Sequence, residues 1–195
     1  MSSTVIYKEE TQRPYVDGRR VLSVTDVLRI SGMYDGYPAS DHALWMGQAR
    51  HKAIELWIKG TLDLDTLHPD ILPSVEAYLE FEQQTGFKPL ATELECWSPS
   101  LQLATRLDLL GVFPDQHEVI VELKSGAVSK VAGLQTAGQD IAKGLPRRKR
   151  YGLSVPQSGK PKVIPFTSTD DYGTFISCLT VAHWKIEKLG VKLDA

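Results

Sequence analysis

Three charged residues stand where two apolar runs of the sequence should be uninterrupted. Asp108 divides the first run, and Glu122 and Lys124 close the second run, which begins at Val119. Side chains at positions i and i+2 of a strand point to the same face, so Glu122 and Lys124 are held together on one surface. Charged side chains are seldom buried unless they are paired or bound to a metal ion. The pattern therefore predicts a functional site at the ends of two adjoining strands.

The chemistry that these residue types favour is metal-assisted hydrolysis of a phosphodiester. Two carboxylates on adjacent strands can share a hard divalent cation, Mg²⁺ or Mn²⁺, because such ions prefer oxygen ligands. One or two such ions would lower the pKa of water and offset charge on a phosphate, and the Lys124 amine could orient or deprotonate that water, or neutralise developing charge. The alternative is that Glu122 and Lys124 form an exposed ion pair contributing ~0–1 kcal/mol. Asp108 and the turn at Ser125 and Gly126 favour the site.

Composition and charge limit the classes of protein that fit. The chain of 195 residues suits one domain with a sizeable core. A net charge of −2 lacks the basic signature of many nucleic-acid-binding proteins, but carboxylates that await a metal also lower the charge, so DNA is not excluded. No signal pattern and no apolar run of the ~18 residues needed to span a membrane is present. The two cysteines show neither ligand nor disulfide spacing, so we expect a cytoplasmic protein with no membrane partner.

Periodicity and end signals predict an order of elements that can position these residues. Three helices come first, followed by three strands, a helix, two strands and a last helix. Their expected bounds are 24–30, 42–58 and 71–85 for the helices, 90–97, 101–113 and 117–124 for the strands, then 129–143, 151–155, 162–166 and 169–189. This order predicts an α/β fold with a mixed central sheet flanked by helices. We expect one domain over 1–195, in which a mainly helical part (1–87) packs on the site, 88–166 form the sheet core with its helix, and 167–195 hold the C-terminal helix.

The spacing of the charged residues resembles the core motif of the PD-(D/E)XK nuclease superfamily. Thirteen residues separate Asp108 from Glu122-Leu123-Lys124. Five pieces of sequence, in order, resemble the RecB-like and phage-type exonuclease branch of that superfamily. They are a G-x(3)-H element at Gly47 and His51, a glutamate-bearing strand at Thr92–Glu95, a G-x-x-D strand at Arg106–Leu110, a D/E-x-K-T/S-G motif at Glu122–Gly126, and a Q-x-x-x-Y helix at Leu134–Gln139. Two positions depart from the pattern: Thr105-Arg106 stand where glycine is more usual, and Gln139 replaces tyrosine.

The resemblance implies a restriction-endonuclease-like core of order α-β-β-β-α-β with an N-terminal helical elaboration. It implies that one or two Mg²⁺ or Mn²⁺ ions are bound, and that Lys124 is the catalytic amine and Gln135 orients substrate or water. The implied metal ligands are Asp108, Glu122, the Leu123 carbonyl, His51 and Glu93. Residues expected to contact DNA are Arg147, Arg148, Lys149, Arg150, Ser125 and Gln139.

The function implied by the resemblance is a metal-dependent deoxyribonuclease, with an exonuclease of phage-type recombination, replication or repair preferred. Its substrate would be DNA with a free end, in the host cytoplasm if the protein is phage-encoded. A recombination or single-strand-binding partner protein and a homo-oligomer are both compatible with this interpretation. The alternatives are a structure-specific or restriction-like endonuclease, and a catalytically silent nuclease-fold module that binds DNA.

Several residues also have a plain structural interpretation. His51 could be a helix residue on a solvated face rather than a ligand. Glu93 and Glu95 share a strand face, and motif spacing favours Glu93 as the site residue. Gln135 and Gln139 lie four residues apart on one helix face, which could be a polar outer stripe.

Basic and aromatic residues leave similar choices open. The run Arg147–Arg150 could be a solvated strand entrance or could contact phosphates beside the acidic site. Trp45 is expected in the core. Tyr34 and Tyr37, in a loop with glycine and proline, could stack on unpaired bases.

Overall fold

The structure is a computed structural model that describes residues 4–34, 40–114, 117–145, 147–158 and 160–193. Within these ranges the chain forms five helices and nine strands. The helices are α1 (Val24–Ser31), α2 (Asp41–Ile58), α3 (Leu72–Thr85), α4 (Val131–Lys143) and α5 (Asp170–Leu189). The strands are β1 (Val5–Lys8), β2 (Arg13–Val16), β3 (Arg19–Arg20), β4 (Leu22–Ser23), β5 (Lys88–Ser98), β6 (Leu103–Val112), β7 (Glu118–Lys124), β8 (Lys149–Ser154) and β9 (Lys162–Phe166). The predicted helices and later strands are confirmed with their ends shifted by one or two residues, and the N-terminal part carries four short strands besides its helices.

The strands form a small antiparallel sheet, β1-β2-β3, and a six-stranded mixed sheet. In the larger sheet the order is β4-β6-β7-β8-β9, with β5 paired to β6. The pairs β4–β6 and β7–β8 are parallel, and the others are antiparallel. Because β7 and β8 are parallel, the chain must cross over between them, and α4 makes that crossover. The predicted mixed sheet with flanking helices is confirmed.

Local sequence explains where the helices of the site begin and end. Ser23 caps α1: its hydroxyl accepts a hydrogen bond from the Asp26 amide, and the Asp26 carboxylate accepts one from the Ser23 amide. Gly32 ends α1 with φ 86°, a left-handed conformation that glycine adopts without steric cost. The Ser40 hydroxyl accepts from the Ala43 amide and so fixes the start of α2, the helix that carries His51.

Hydrophobic clusters cover both faces of the main sheet. On one face α1, α4 and α5 pack together, with Leu103 and Phe175 fully buried. On the other face α2 and α3 pack over alternate residues of β7, namely Val119, Val121 and Leu123. Since alternate residues of a strand face opposite sides, Glu122 and Lys124 are directed away from α2 and α3, towards α4. Within the described ranges, none of the helices combines the length and apolar character that crossing a bilayer would require.

Candidate functional site

The site lies where strand β6 changes partners. β5 runs along one whole edge of β6, so β4 and β7 share the other edge: β4 pairs at Leu103 and Ala104, and β7 pairs from Leu109 onwards. The next position of the β6–β7 register would place Asp108 opposite Glu122, but the ladder has ended there. The Asp108 carboxylate instead accepts a hydrogen bond from the Leu123 amide, Oδ2 to N 2.8 Å. Both predicted carboxylates therefore stand where the two strands separate.

Three predicted metal ligands converge at this point from three elements. His51 of α2, Glu93 of β5 and Asp108 of β6 each place one ligand atom within 4.8 Å of the others. Their side chains are 27%, 21% and 14% exposed, respectively. Two carboxylates and an imidazole form a donor set that fits a divalent cation such as Mg²⁺ or Mn²⁺. Glu95, the alternative to Glu93, is exposed and outside this group.

Glu93 reaches the group through an unusual backbone conformation. Its φ is 50°, the left-handed region that residues other than glycine rarely adopt. Its neighbours Thr92 and Leu94 pair with Leu109 and Leu107, so Glu93 lies across the ladder from Asp108. A strained conformation of this kind costs of order 1–3 kcal/mol and persists only where surrounding structure maintains it. The sequence gives no signal for it, because glutamate has no preference for positive φ.

The electrostatic state of the three residues favours a bound cation. Burial and the nearby Asp108 carboxylate raise the pKa of Glu93 to about 7. Burial and the Glu122 carboxylate also raise the pKa of Asp108, whereas burial lowers the pKa of His51. Near neutral pH the Glu93 carboxyl is therefore held partly protonated beside a neutral imidazole. A divalent cation would replace this proton, since metal ligands bind in their deprotonated forms.

Glu122 is held by three N–H donors on the α4 side of the sheet. Its carboxylate is 2% exposed. Oε1 accepts from Lys124 Nζ at 2.8 Å and Gln135 Nε2 at 2.7 Å, and Oε2 accepts from Gln139 Nε2 at 2.7 Å. Lys124 also donates to Gln135 Oε1 at 3.1 Å. Burial alone would lower the pKa of Lys124, but the Glu122 and Asp108 carboxylates outweigh it and raise that pKa. Lys124 is thus a cation within a fixed network.

The position of Gln139 corrects the prediction that it contacts DNA. The residue is 1% exposed, and its amide nitrogen is used by Glu122. Within the described part of the chain, its Oε1 is buried without a hydrogen-bond partner. Gln135 and Gln139 both face the site, so they are not a polar outer stripe. The structure places the Leu123 amide beside Asp108, while a role for the Leu123 carbonyl as a ligand stays a prediction.

Two residues of the basic run are structural, which corrects a second DNA-binding prediction. The Arg148 side chain is 4% exposed and forms ion pairs with Asp140 at 3.0 Å and Glu118 at 2.9 Å. The Arg150 side chain is 2% exposed and pairs with Asp171 at 3.1 Å. Alternate residues of β8 point inwards, so neither guanidinium is available to a phosphate. A signal existed in the sequence, since acidic residues on α4 and α5 were available as partners.

The other members of the run face outwards. Arg147 is exposed, with its guanidinium over the Tyr172 ring at 3.8 Å, and Lys149 is exposed on β8. Ser125 is partly buried in the turn after β7, close to α2: a Cβ built on Gly47 would lie 3.8 Å from its hydroxyl. DNA contacts by these three residues stay predictions.

Two cavities flank the cluster, and both include Arg106 and Asp108. One has a volume of about 450 Å³ and is lined in part by Tyr34. The other, of about 790 Å³, contains the three ligand residues and the ring of Trp45. Trp45 is 54% exposed, so its expected place in the core was wrong. Tyr37 lies outside the described residues.

Comparison with known proteins supports the fold. No protein-family model matches the sequence, and no curated protein matches it. The structure of a candidate exonuclease from Eubacterium rectale has a TM-score of 0.56 over 88% of this chain and 83% of that one, at 7% identity. The alkaline exonuclease LHK-Exo from Laribacter hongkongensis scores 0.40 at 11% identity, covering 87% and 91%, and LHK-Exo with dAMP scores 0.39 at 14%, covering 88% and 95%. The last two scores are too low to carry an argument. The first concerns the fold alone and shows the predicted restriction-endonuclease-like core.

Proposed function

We propose that the protein is a metal-dependent deoxyribonuclease, and that it acts as an exonuclease on DNA with a free end. The observation that carries the proposal is the convergence of His51, Glu93 and Asp108 within 4.8 Å, beside the network of Glu122 and Lys124. The similar fold of the candidate exonuclease supports the preference for an exonuclease. The motif resemblance implies a setting in recombination, replication or repair of phage DNA.

The donor set fits Mg²⁺ or Mn²⁺ held by His51, Glu93 and Asp108, with the Leu123 carbonyl as a further ligand. Such an ion supplies a water of lowered pKa and offsets charge on the phosphate. Lys124 carries a positive charge because the Glu122 and Asp108 carboxylates raise its pKa. It therefore serves better to orient the attacking water and to neutralise charge on the phosphate than to accept a proton.

The residues that bind Glu122 fix the position of the positive charge on Lys124. Gln135 binds both partners of the ion pair: its amide nitrogen donates to Glu122 and its amide oxygen accepts from Lys124. Gln139 holds the second oxygen of Glu122. The network thus fixes the orientation of the Lys124 ammonium as well as its charge. This is the condition for electrostatic stabilisation of a reacting phosphate.

The test compares linear with covalently closed circular duplex DNA in Mg²⁺, in Mn²⁺ and in EDTA. An exonuclease degrades only the linear form, and only with metal. Cutting of circles would instead identify an endonuclease, and a protein that binds DNA but degrades neither form would be the silent module. If neither form of DNA is degraded in Mg²⁺ or in Mn²⁺, the enzyme proposal is refuted.

A variant pair assigns the amine. Lys124→Ala should reduce kcat by roughly 10²-fold or more, since it removes one preorganised charge at the reacting phosphate. Lys162→Ala removes an exposed lysine on the edge strand β9 and serves as the matched control. Thermal unfolding of both variants establishes that they are folded. Full activity of folded Lys124→Ala would overturn the assignment.

A further inference from the structure

Arg106 stands where the two cavities of the site meet. It lies two residues before Asp108 on β6, so the two side chains share a strand face. Both cavities are lined by Arg106 and Asp108. A ligand that extends from the His51–Glu93–Asp108 group into the smaller cavity must therefore pass the Arg106 guanidinium.

The smaller cavity has the charge of an anion-binding surface. Its lining contains four arginines against two aspartates. The arginines are Arg13, Arg20, Arg29 and Arg106. Asp26 pairs with both Arg20 and Arg29, so one carboxylate is shared between two guanidinium groups. The larger cavity holds the acidic ligand group. The two cavities therefore differ in charge on either side of Arg106.

Contacts within the protein involve only part of the Arg106 guanidinium. Its Nε lies 2.6 Å from Glu93 Oε2, and the group is 5.1 Å from the centre of the Tyr7 ring. Among the described residues its two terminal nitrogens make no hydrogen bond, and its closest ion-pair contact is made through Nε. The side chain is 30% exposed, so these nitrogens are accessible from the cavities. A role limited to neutralising Glu93 accounts for the Nε contact and leaves the two terminal nitrogens unexplained.

We propose that Arg106 binds a backbone phosphate of the DNA beside the cation ligands, with its terminal N–H groups on the phosphate oxygens. This proposal rests on the proposed function and names the group that holds the substrate there. The planar fork of a guanidinium matches two phosphate oxygens, and arginine retains its charge at all working pH values. The Nε contact with Glu93 fixes the plane of that fork.

The test is DNA binding by the full chain without turnover. Fluorescence anisotropy measures the affinity for a labelled 20-base-pair duplex in EDTA and in Ca²⁺ over a range of salt concentrations. Arg106→Ala should weaken binding about tenfold and reduce the slope of log K against log salt by about 1. Arg19→Ala, which removes an exposed arginine on β3 outside both cavities, is the matched control and should leave both quantities unchanged.

A further variant separates binding from a structural role. Arg106→Lys keeps a charge without the fork, and in the cleavage assay KM should rise more than kcat falls. It also carries the test if Arg106→Ala does not fold.

The outcomes distinguish this proposal from the proposed function. Unchanged affinity and salt slope in folded Arg106→Ala, with active wild-type protein, would overturn the phosphate contact alone. An Arg106→Lys protein with the KM of wild type would also overturn the phosphate contact alone. Wild-type protein that neither binds nor degrades DNA would overturn the proposed function.

Discussion

Replacing Glu93 with glutamine should stabilise the metal-free protein, and the gain should depend on pH. Burial and the Asp108 carboxylate raise the pKa of Glu93 from its ordinary value of 4.5 to about 7. Between pH 4.5 and about pH 7, the unfolded state has released the Glu93 proton whereas the folded state still holds it. The stability of the wild-type protein therefore falls as pH rises from about 4.5 to 7, because the folded state binds more protons than the unfolded state. Glutamine has the same shape and no charge, so it removes this dependence.

The size of the effect follows from the two pKa values. A difference between 4.5 and about 7 corresponds to roughly 3 kcal/mol of unfolding free energy. That raised pKa already includes the attraction of the Arg106 guanidinium. Glu93→Gln should therefore be about 3 kcal/mol more stable than wild type at pH 8 in EDTA. At about pH 4 and below, where Glu93 is mostly protonated in both states, the two proteins should differ by less than about 1 kcal/mol.

Urea unfolding at several pH values between 4 and 8 measures this difference. Subtracting the unfolding free energy of the variant from that of wild type cancels the titration of the other groups that the two proteins share. Glu95→Gln removes an exposed carboxylate from the same strand and is the matched control. Adding Mn²⁺ at pH 8 should reverse the order, because a ligand present at about 1,000 times its Kd stabilises the protein that binds it by about 4.1 kcal/mol. Parallel curves for wild type and Glu93→Gln in EDTA would refute the reasoning about the cluster.

Two further predictions concern packing away from the cluster. Arg148→Ala should destabilise the protein by about 3–5 kcal/mol in urea unfolding, because it leaves the buried Asp140 carboxylate without its cationic partner, whereas Lys149→Ala should change stability by less than about 0.5 kcal/mol. A stable Arg148→Ala that loses DNA affinity would restore the phosphate role of Arg148. Gly138→Ala should cost about 1–3 kcal/mol, because its Cβ would lie 2.4 Å from the Phe175 ring. Gly173→Ala, in open space on α5, should gain about 0.5–1 kcal/mol in the same assay.

Much of the fold could be predicted because the relevant signals are local. Ser23 and Gly32 fix both ends of α1, and the apolar run that begins at Val119 indicates β7. The motif resemblance named His51, Glu93 and Asp108 among its five implied ligands, together with Glu122 and the Leu123 carbonyl. The structure brings them together from three elements.

The errors come from contacts between residues distant in sequence. Whether a basic residue of β8 faces a phosphate or an acidic partner depends on α4 and α5, which pack against its inner face. Arg148 and Arg150 are buried for that reason. Gln139 faces Glu122 from one turn beyond Gln135, and Trp45 is exposed because α2 turns other residues towards its neighbours. The pattern of a single sequence gives the periodicity of a helix or strand face. It does not give the residues that this face contacts.

The placement of unfavourable features distinguishes a functional site from a structural network in this protein. The pair of Arg148 with Asp140 buries a charge together with its partner, as a structural network does. Around Asp108 the opposite is found. Glu93 is strained, and Gln139 leaves a buried oxygen without a partner among the described residues; each feature costs about 1–3 kcal/mol.

The raised pKa values of Asp108 and Glu93 add a third unfavourable feature at the same place. An ion pair kept for stability would relieve such costs, and here they accumulate on residues from α2, α4, β5 and β6. Strained and unsatisfied groups concentrate where a protein is organised to bind something rather than to be most stable. A bound cation would offset the raised pKa values directly, because it stabilises both carboxylates in their charged forms. The distribution of these costs thus favours a cation site, independently of any motif.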